Sequence, residues 1–285
     1  MARPFDLAQG RPFDSDQGKP FDSPRGGPEL CARHLTRRFD GIAVVKGVDF
    51  TVRAGEIVGY LGPNGSGKTT TARMLAGLLE PSAGRVEYNG RDVHDDPIAY
   101  RRELGYIQEE PFLYPFLSGR EYLELIGRLR EMPEDLLTQK IERFLELFGI
   151  LPAADQAIAS YSKGMRQKVL ITAALLHDPA VILFDEPESG LDVTTTLVLR
   201  YLVRTLAARG KAILYSSHIL EVVERVCTRV IVLHEGSVVA DDSVDRLQAL
   251  MSRSSLEGVF SKLVMRVDPE VVARDLADAA ALGAR

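Results

Sequence analysis

Apolar and polar residues alternate along the chain with two different periods. At Val48, Phe50 and Val52, apolar side chains alternate with polar ones, which is typical of a half-buried β-strand. Short runs of strand-forming residues predict further strands at Ile57–Leu61, Arg85–Tyr88, Leu104–Ile107, Ala180–Phe184, Ala212–Tyr215 and Val230–Leu233. Stretches with helical spacing lie between them, the first over Lys68–Leu79. Strands that alternate with helices favour a parallel, layered α/β core.

The stretch from about residue 112 to 165 has helical spacing throughout. Ser118 precedes Glu121 by three positions, which is a capping-box signature for the start of a helix. Three apolar residues follow at helical spacing: Leu125, Leu129 and Met132. A second apolar stripe stops at Gly149 and consists of Leu137, Ile141, Phe144, Leu145 and Phe148. We therefore predict an α-helical subdomain inserted into the α/β core.

Composition and charge narrow the class of protein. The 285 residues include 35 Lys and Arg against 40 Asp and Glu, and this acidic balance argues against a protein that coats nucleic acid. The two cysteines, Cys31 and Cys227, are too few for a disulfide framework or a four-ligand zinc site. No apolar run is close to the length of about 20 residues that a helix needs to span a bilayer. The N-terminus lacks an apolar signal-peptide core. A cytosolic protein that binds no nucleic acid is expected.

The first 28 residues differ from the rest in composition. Pro-Phe-Asp recurs at residues 4–6, 12–14 and 20–22, and each eight-residue copy contains one Phe, which cannot form a packed core. We predict a disordered leader over 1–28, which is consistent with a translated DNA repeat upstream of the true start. A linear motif that binds a partner is the alternative.

A glycine-rich segment follows the predicted strand at Ile57–Leu61 and opens a predicted helix. Its residues fit G-x-x-x-x-G-K-[ST]: Gly62, Pro63, Asn64, Gly65, Ser66, Gly67, Lys68 and Thr69, with Thr70 next. In such a loop, backbone N–H groups and the helix N-terminus surround phosphate oxygens. Lys68 then reaches the β- and γ-phosphates, and the Thr69 hydroxyl binds Mg²⁺. The segment predicts a nucleotide site.

Two carboxylates end a buried strand later in the chain. Asp185 and Glu186 follow Val181–Phe184, and a parallel strand delivers such residues to the sheet edge where ligands bind. Asp185 is predicted to hold Mg²⁺, and Glu186 to act as the base or to orient an attacking water. These features alone leave a kinase, a GTPase, a helicase and a transporter motor open.

Further residues discriminate among these classes. These residues are Phe39, Gln108, the segment Tyr161-Ser162-Lys163-Gly164-Met165, Ser189–Asp192 and His218. Their order and spacing around the phosphate loop resemble those in the ATP-binding subunits of ABC transporters. The resemblance covers roughly residues 29–240. It implies an α/β fold with a P-loop NTPase (RecA-like) core, an antiparallel β subdomain and the inserted helical subdomain. It also implies that two subunits enclose two ATP molecules head to tail.

The resemblance assigns a role to each of these residues. Phe39 would stack on adenine, and Gln108 would contact Mg²⁺ and sense the membrane subunit. His218 would contact the γ-phosphate and Glu186. Glu186, His218 and Lys68 would together be the catalytic residues. Asp192 would couple the two sites across the dimer.

The signature segment departs from the commonest family form, Leu-Ser-Gly-Gly-Gln. Ser162 and Gly164 are retained, whereas Tyr161, Lys163 and Met165 differ. The resemblance implies that Ser162, Lys163, Gly164 and Met165 bind the γ-phosphate of ATP held by the opposite subunit. Tyr-Ser-Lys-Gly-Met resembles the exporter subunits. Glu188 replaces a common family threonine and has no functional interpretation from the sequence.

The family resemblance predicts an ATPase that uses ATP and Mg²⁺ to power export through separate integral-membrane subunits. The second ATPase subunit of the dimer would be another copy of this chain or a paralogue. This chain would lie peripherally on the cytoplasmic, inner face of the cell membrane. Ser255–Phe260, in the 241–285 tail, resembles a short exporter motif, with Gly258 replacing a glutamate. The Glu109–Pro115 stretch is either a docking groove for the membrane subunit or a loop that packs inward. An importer ATPase is the nearer alternative, and an ABC ATPase acting on nucleic acid or protein assemblies is the more distant one.

Overall fold

A computed structural model describes residues 5–6, 11–12, 26–109, 113–217, 220–251, 255, 258 and 269–281. Within the predicted leader it describes a two-residue antiparallel pairing of 5–6 with 11–12. The rest of the leader up to residue 25 lies outside the described residues, and so does most of the Ser255–Phe260 motif. The predicted leader and the domain limits at 29, 240 and 285 stay predictions.

The described chain alternates strands and helices over most of its length. The strands are β1 (Phe5–Asp6), β2 (Arg11–Pro12), β3 (Glu29–Phe39), β4 (Ile42–Arg53), β5 (Ile57–Leu61), β6 (Ala83–Tyr88), β7 (Arg91–Asp92), β8 (Leu104–Ile107), β9 (Val181–Asp185), β10 (Ala212–Ser216), β11 (Arg229–His234) and β12 (Ser237–Ser243). The α-helices are α1 (Lys68–Leu75), α2 (Pro97–Glu103), α3 (Gly119–Leu129), α4 (Glu134–Leu147), α5 (Lys163–Leu175), α6 (Val193–Ala208), α7 (Leu220–Val226), α8 (Val244–Met251) and α9 (Pro269–Ala281).

A six-stranded sheet forms the centre of the molecule, in the order β12-β11-β5-β10-β9-β8. Its strands pair in parallel except for β12, which runs antiparallel to β11. Every residue of β5, β9 and β10 is buried, as their continuous apolar runs predict for a sheet covered on both faces. The carboxyl ends of these three strands therefore meet at one edge of the sheet.

A second sheet is antiparallel and has the order β4-β3-β6-β7. The alternating residues of β4 predict its inner face correctly, because Val48, Phe50 and Val52 are buried. Phe50 packs on Tyr60 of the central sheet, with 5.4 Å between the ring centroids. This sheet agrees with the predicted antiparallel β subdomain.

Helices α3, α4 and α5 pack together, and α5 continues to Leu175, beyond residue 165 where the predicted helical subdomain ends. The capping box at its start is confirmed: the Glu121 N–H donates to the Ser118 hydroxyl, and the Ser118 N–H donates to the Glu121 carboxylate. The second apolar stripe is also confirmed, because Leu137, Ile141 and Leu145 are fully buried.

One apolar position of the first helical stripe is exposed, and one predicted helix end is wrong. Leu129 is 72% exposed, since α3 turns Tyr122, Leu123 and Gly127 toward the core instead, and Gly127 lies directly against the Leu137 side chain. Helix α1 ends at Leu75 rather than at residue 79, because Gly77 adopts a φ of +63° that ends the helical path. In the part of the chain that the structure describes, no helix is both long and apolar enough to cross a bilayer.

Candidate functional site

The phosphate loop connects β5 to α1 in a conformation that requires glycine. Gly67 caps α1 with a φ of +104°, and a Cβ there would lie 2.9 Å from the Val44 carbonyl oxygen of β4. The Ser66 N–H donates to the Pro63 carbonyl oxygen over 3.1 Å and closes the loop. The predicted strand-loop-helix context is therefore present, with the loop wedged against the antiparallel sheet.

Lys68 is held inside this loop by the loop's own backbone. Its ammonium donates to the carbonyl oxygens of Gly62 at 2.6 Å and Pro63 at 3.2 Å. Burial lowers the pKa of Lys68, and the nearby carboxylates of Glu186 and Asp185 partly offset this effect. The loop thus presents a partly desolvated positive charge, which is suited to contacting an anion.

A cavity of about 490 Å³ opens beside the loop. It is lined by Val44, Asn64, Gly65, Gly67, Lys68, Thr69, Thr70, Glu109 and Glu186. The structure thus brings Glu186 to the predicted phosphate loop, although the two lie about 120 residues apart in the chain. The sequence analysis did not predict Val44 at this site, and it named Glu109 only as part of the Glu109–Pro115 stretch.

Asp185 is a buried carboxylate at the end of β9. It is 1% exposed, and neither of its side-chain oxygens has a hydrogen-bond partner among the described residues. Burial raises the pKa of Asp185, and the Ser216 and Thr69 hydroxyls, with Lys68, offset this only in part. A buried anion without a partner is costly unless a cation neutralises it.

The donor set fits Mg²⁺ bound together with a nucleotide. Among the described residues, no group of three or more His, Cys, Asp or Glu side chains could hold a metal ion by themselves. Mg²⁺ usually takes only one or two protein carboxylates and completes its shell with water and substrate phosphates. Asp185 and the Thr69 hydroxyl at the phosphate loop meet that requirement.

Glu186 follows Asp185 directly and has an unusual backbone. Its φ is +50°, in the left-handed region that side chains other than glycine rarely adopt. Its N–H donates to the Ser216 carbonyl oxygen at the end of β10 over 3.1 Å. This turn separates the two carboxylates, so that Asp185 is buried while Glu186 lines the cavity.

The signature segment lies outside this cavity. Ser162 caps α5, and its hydroxyl accepts from the Met165 N–H at 3.2 Å. Ser162 and Lys163 are exposed, and Gly164 lies against the Gly190 carbonyl, where a Cβ would be 2.7 Å from the oxygen. Ser162, Lys163, Gly164 and Met165 are absent from the lining of the phosphate-loop cavity. One chain therefore presents the phosphate loop and the signature segment as separate surfaces.

The remaining predicted residues are placed as follows. Asp192 caps α6, and its carboxylate accepts from the Thr195 N–H at 2.8 Å and the Thr195 hydroxyl at 2.7 Å. Phe39 ends β3 and is 42% exposed, with the Arg37 guanidinium 4.7 Å from its ring centroid. His218 lies outside the described residues.

Gln108 lies apart from the phosphate-loop cavity. It lines a separate cavity of about 230 Å³ between the core and the helical subdomain, together with Tyr106, Tyr122 and Arg130. The structure brings its neighbour Glu109 to the phosphate loop instead. A contact of Gln108 with Mg²⁺ stays a prediction.

Comparison with known proteins finds consistent similarities. The ABC transporter family matches residues 45–189. The chain is 38% identical over 236 residues to the ABC transporter ATP-binding protein NatA of Bacillus subtilis, covering 82% of this chain and 96% of that protein. It is 37% identical to the Nod factor export ATP-binding protein I of Burkholderia lata, covering 73% and 69% of the two chains. It is 34% identical to the daunorubicin resistance ATP-binding protein DrrA3 of Streptomyces coeruleorubidus, covering 75% and 67%.

A solved structure is also similar to this chain. It is described as the ATP-binding subunit of an ABC transporter and superposes with a TM-score of 0.78 at 34% identity. The superposition covers 82% of this chain and 98% of that chain. The fold of the described residues is therefore that of a P-loop NTPase of this kind.

Proposed function

This chain belongs to the family of ABC transporter ATP-binding subunits, and we propose that it powers export through separate membrane subunits. Members of the family bind ATP with Mg²⁺ and hydrolyse ATP to drive transport. They dimerise and work with membrane subunits. Export rather than import is supported by two relatives whose names refer to Nod factor export and to daunorubicin resistance.

The assembly of Lys68, Asp185 and Glu186 around one edge of the central sheet supports the catalytic assignment most strongly. In this proposal, Lys68 and the loop N–H groups bind the β- and γ-phosphates. Asp185 and Thr69 would hold Mg²⁺, which supplies positive charge that neutralises the phosphates. Glu186 lines the cavity without being buried like Asp185, so it can orient the attacking water or accept its proton. His218 would contact the γ-phosphate, and Gln108 would approach Mg²⁺ on nucleotide binding.

A dimer would complete each site. The signature segment is exposed and lies away from the phosphate loop of its own chain, so it is free to contact ATP held by a second copy or a paralogous subunit. The exposed residues Ser162 and Lys163 lie at the N-terminus of α5, and a helix N-terminus favours an anion. Asp192 would couple the two sites, and Phe39 would stack on adenine with its exposed ring.

We propose the groove beside Gln108 as a docking site for a membrane subunit, next to the Glu109–Pro115 stretch for which the sequence left docking or inward packing open. It lies between the core and the helical subdomain, and its lining combines Tyr106, Tyr122 and Ile126 with Arg130. A membrane-subunit segment seated there would contact Gln108 and both subdomains at once. This docking would place the chain peripherally on the inner face of the cell membrane.

The catalytic proposal is tested with Glu186→Gln. The variant should bind ATP, lose hydrolysis and accumulate as an ATP-bound dimer in size-exclusion chromatography with ATP and Mg²⁺. Glu134→Gln makes the same chemical change at an exposed ion pair with Arg128 and should behave as wild type. A Glu186→Gln variant that hydrolyses ATP normally, or stays monomeric with ATP, would count against the mechanism.

The direction of transport is tested by metabolite profiling of cells that express either wild type or Glu186→Gln. Loss of an exporter motor should raise at least one compound inside the variant cells and deplete it from their medium. The reverse distribution would favour the importer alternative.

A further inference from the structure

Glu188, which replaces a common family threonine, lies in a buried polar cluster two residues after Glu186. Its side chain is only 8% exposed. Its two carboxylate oxygens accept from the Arg200 guanidinium at 3.1 Å and 3.3 Å, which is a bidentate pair. The Tyr215 hydroxyl donates to the same carboxylate over 2.9 Å. Arg200, whose pKa is raised chiefly by its bond to Glu188, remains charged.

These bonds connect the segment after Glu186 to two separate elements. Arg200 lies on α6, the helix that Asp192 caps, and Tyr215 lies on β10, three residues before His218. One residue earlier, the Pro187 carbonyl oxygen accepts from the buried Gln167 amide of α5 at 2.9 Å. The two residues that follow Glu186 are therefore each fixed to a rigid element.

The backbone of Glu186 explains why such fixing matters. A residue other than glycine with a φ of +50° has a sparsely populated backbone conformation. Such a conformation persists only where several surrounding contacts fix it. The Glu186 N–H bonds to the Ser216 carbonyl, and Ser216 is the neighbour of Tyr215. Three sets of hydrogen bonds thus hold this turn: Glu186 to Ser216, Pro187 to Gln167, and Glu188 to Arg200 and Tyr215.

The same segment also touches the signature. The Leu191 N–H donates to the Glu188 carbonyl oxygen at 3.1 Å, which closes a turn ahead of Asp192. A Cβ on Gly190 would lie 2.6 Å from Cγ of Lys163. The segment that carries Glu188 therefore continues directly into the backbone that faces the signature segment.

We propose that Glu188 is a positioning residue that, through Arg200 and Tyr215, orients Glu186 and the turn leading to Asp192 for ATP hydrolysis. The inference rests on the role of Glu186 proposed above. An ion pair that only stabilised the fold would affect the free energy of unfolding and leave the turnover of the folded enzyme unchanged. Positioning instead predicts a loss of kcat in folded protein that still binds ATP.

The test compares Glu188→Gln, Arg200→Gln and the double variant in the full-length chain. Each single variant should lower kcat for ATP roughly tenfold to hundredfold, because small displacements of a reacting group have effects of that size. KM and the Kd for a fluorescent ATP analogue should change little, because the phosphate loop is untouched. The double variant should lose no more kcat than either single variant, since the two residues act as one pair. Glu146→Gln, at an exposed pair with Arg143, is the matched control.

Tyr215→Phe provides a second test that leaves the buried ion pair and the ring packing intact. It should lower kcat less than Glu188→Gln does, in protein that stays folded, and should lower the Tm by a few degrees because one hydrogen bond to the Glu188 carboxylate is lost. If folded Glu188→Gln and Tyr215→Phe both retain wild-type kcat, the positioning role is wrong and the cluster is purely structural. If Glu186→Gln itself retains hydrolysis, the proposed catalytic role of Glu186 fails instead, and the two failures are thereby distinguished.

Discussion

Replacement of Asp185 by asparagine should stabilise the folded chain and at the same time abolish its Mg²⁺-dependent ATPase activity. The Asp185 carboxylate is buried without a hydrogen-bond partner among the described residues, and burial raises its pKa. Asparagine has nearly the same shape and no charge. The substitution therefore removes an unfavourable buried charge and, with it, the carboxylate ligand proposed for Mg²⁺.

The size of the gain follows from the burial. Leaving a polar group buried and unsatisfied costs about 1–3 kcal/mol, and more for a charged group. Because the asparagine amide is equally buried and keeps part of that cost, we expect a net gain in the free energy of unfolding of about 1–2 kcal/mol. At about 2–4 °C per kcal/mol for a protein approaching this size, the Tm should rise by about 2–8 °C.

The gain in stability of Asp185→Asn over wild type should increase as the pH rises. Because the pKa of Asp185 in the folded state lies above its ordinary value of 3.8, its protonated form is favoured by folding. Wild type should therefore lose stability as the pH rises from about 4 through the folded-state pKa, and the advantage of the asparagine variant should disappear near pH 4.

The assay is thermal unfolding without metal or nucleotide, then with Mg²⁺ and a non-hydrolysable ATP analogue, alongside ATPase measurements. The ligands should raise the Tm of wild type much more than that of Asp185→Asn. Asp241→Asn is the matched control: Asp241 accepts from Arg229 at 2.6 Å through both oxygens, so the same change there should lower the Tm. A lower Tm for metal-free Asp185→Asn, or retained Mg²⁺-dependent hydrolysis, would refute the reasoning.

Two further predictions concern the cation of the loop and a buried histidine. Lys68→Ala should weaken ATP binding roughly 10- to 100-fold or more, because a charge-assisted bond to phosphate contributes about 1.5–3 kcal/mol; unaltered titration of a fluorescent ATP analogue would contradict the loop assignment. Burial, with Arg130 nearby, lowers the pKa of His177 to about 4, so the folded state should lose stability as the pH falls from about 6.5 toward 4. His177→Gln, which can still donate to the Leu104 carbonyl, should flatten the Tm in that interval; an unchanged slope would contradict this assignment.

Features encoded by a few adjacent residues could be predicted from the sequence. The buried strand Ile57–Leu61 has the predicted bounds, and the Ser118–Glu121 capping box forms as its spacing indicates. The glycine-rich loop opens α1 because strand, loop and helix are contiguous in the chain. Such features depend on local backbone preferences and on periodicity, which the sequence displays directly.

Features that depend on which distant surfaces meet could not be predicted in this way. Leu129 has the spacing of a core position, yet it lies on the exposed face of α3. The buried face of α3 is the one that packs on α4, where Leu137 fits against Gly127. Glu188 has no interpretable neighbour in sequence, since Arg200 and Tyr215 are 12 and 27 residues away. Glu109 rather than Gln108 reaches the phosphate-loop cavity, a difference of one residue that only the path of the loop after β8 decides.

Three features that ordinarily weaken a fold lie within the four residues 185–188. Asp185 is a buried carboxylate without a hydrogen-bond partner among the described residues, Glu186 has a positive φ, and Glu188 is a largely buried ion-pair residue. Each would weaken an isolated segment, but β9 is paired on both sides by fully or largely buried parallel strands, which can stabilise the strained turn at its end. Local rules are broken where the rigid sheet delivers functional groups to its edge, so stability and catalysis should respond in opposite directions to substitution at Asp185.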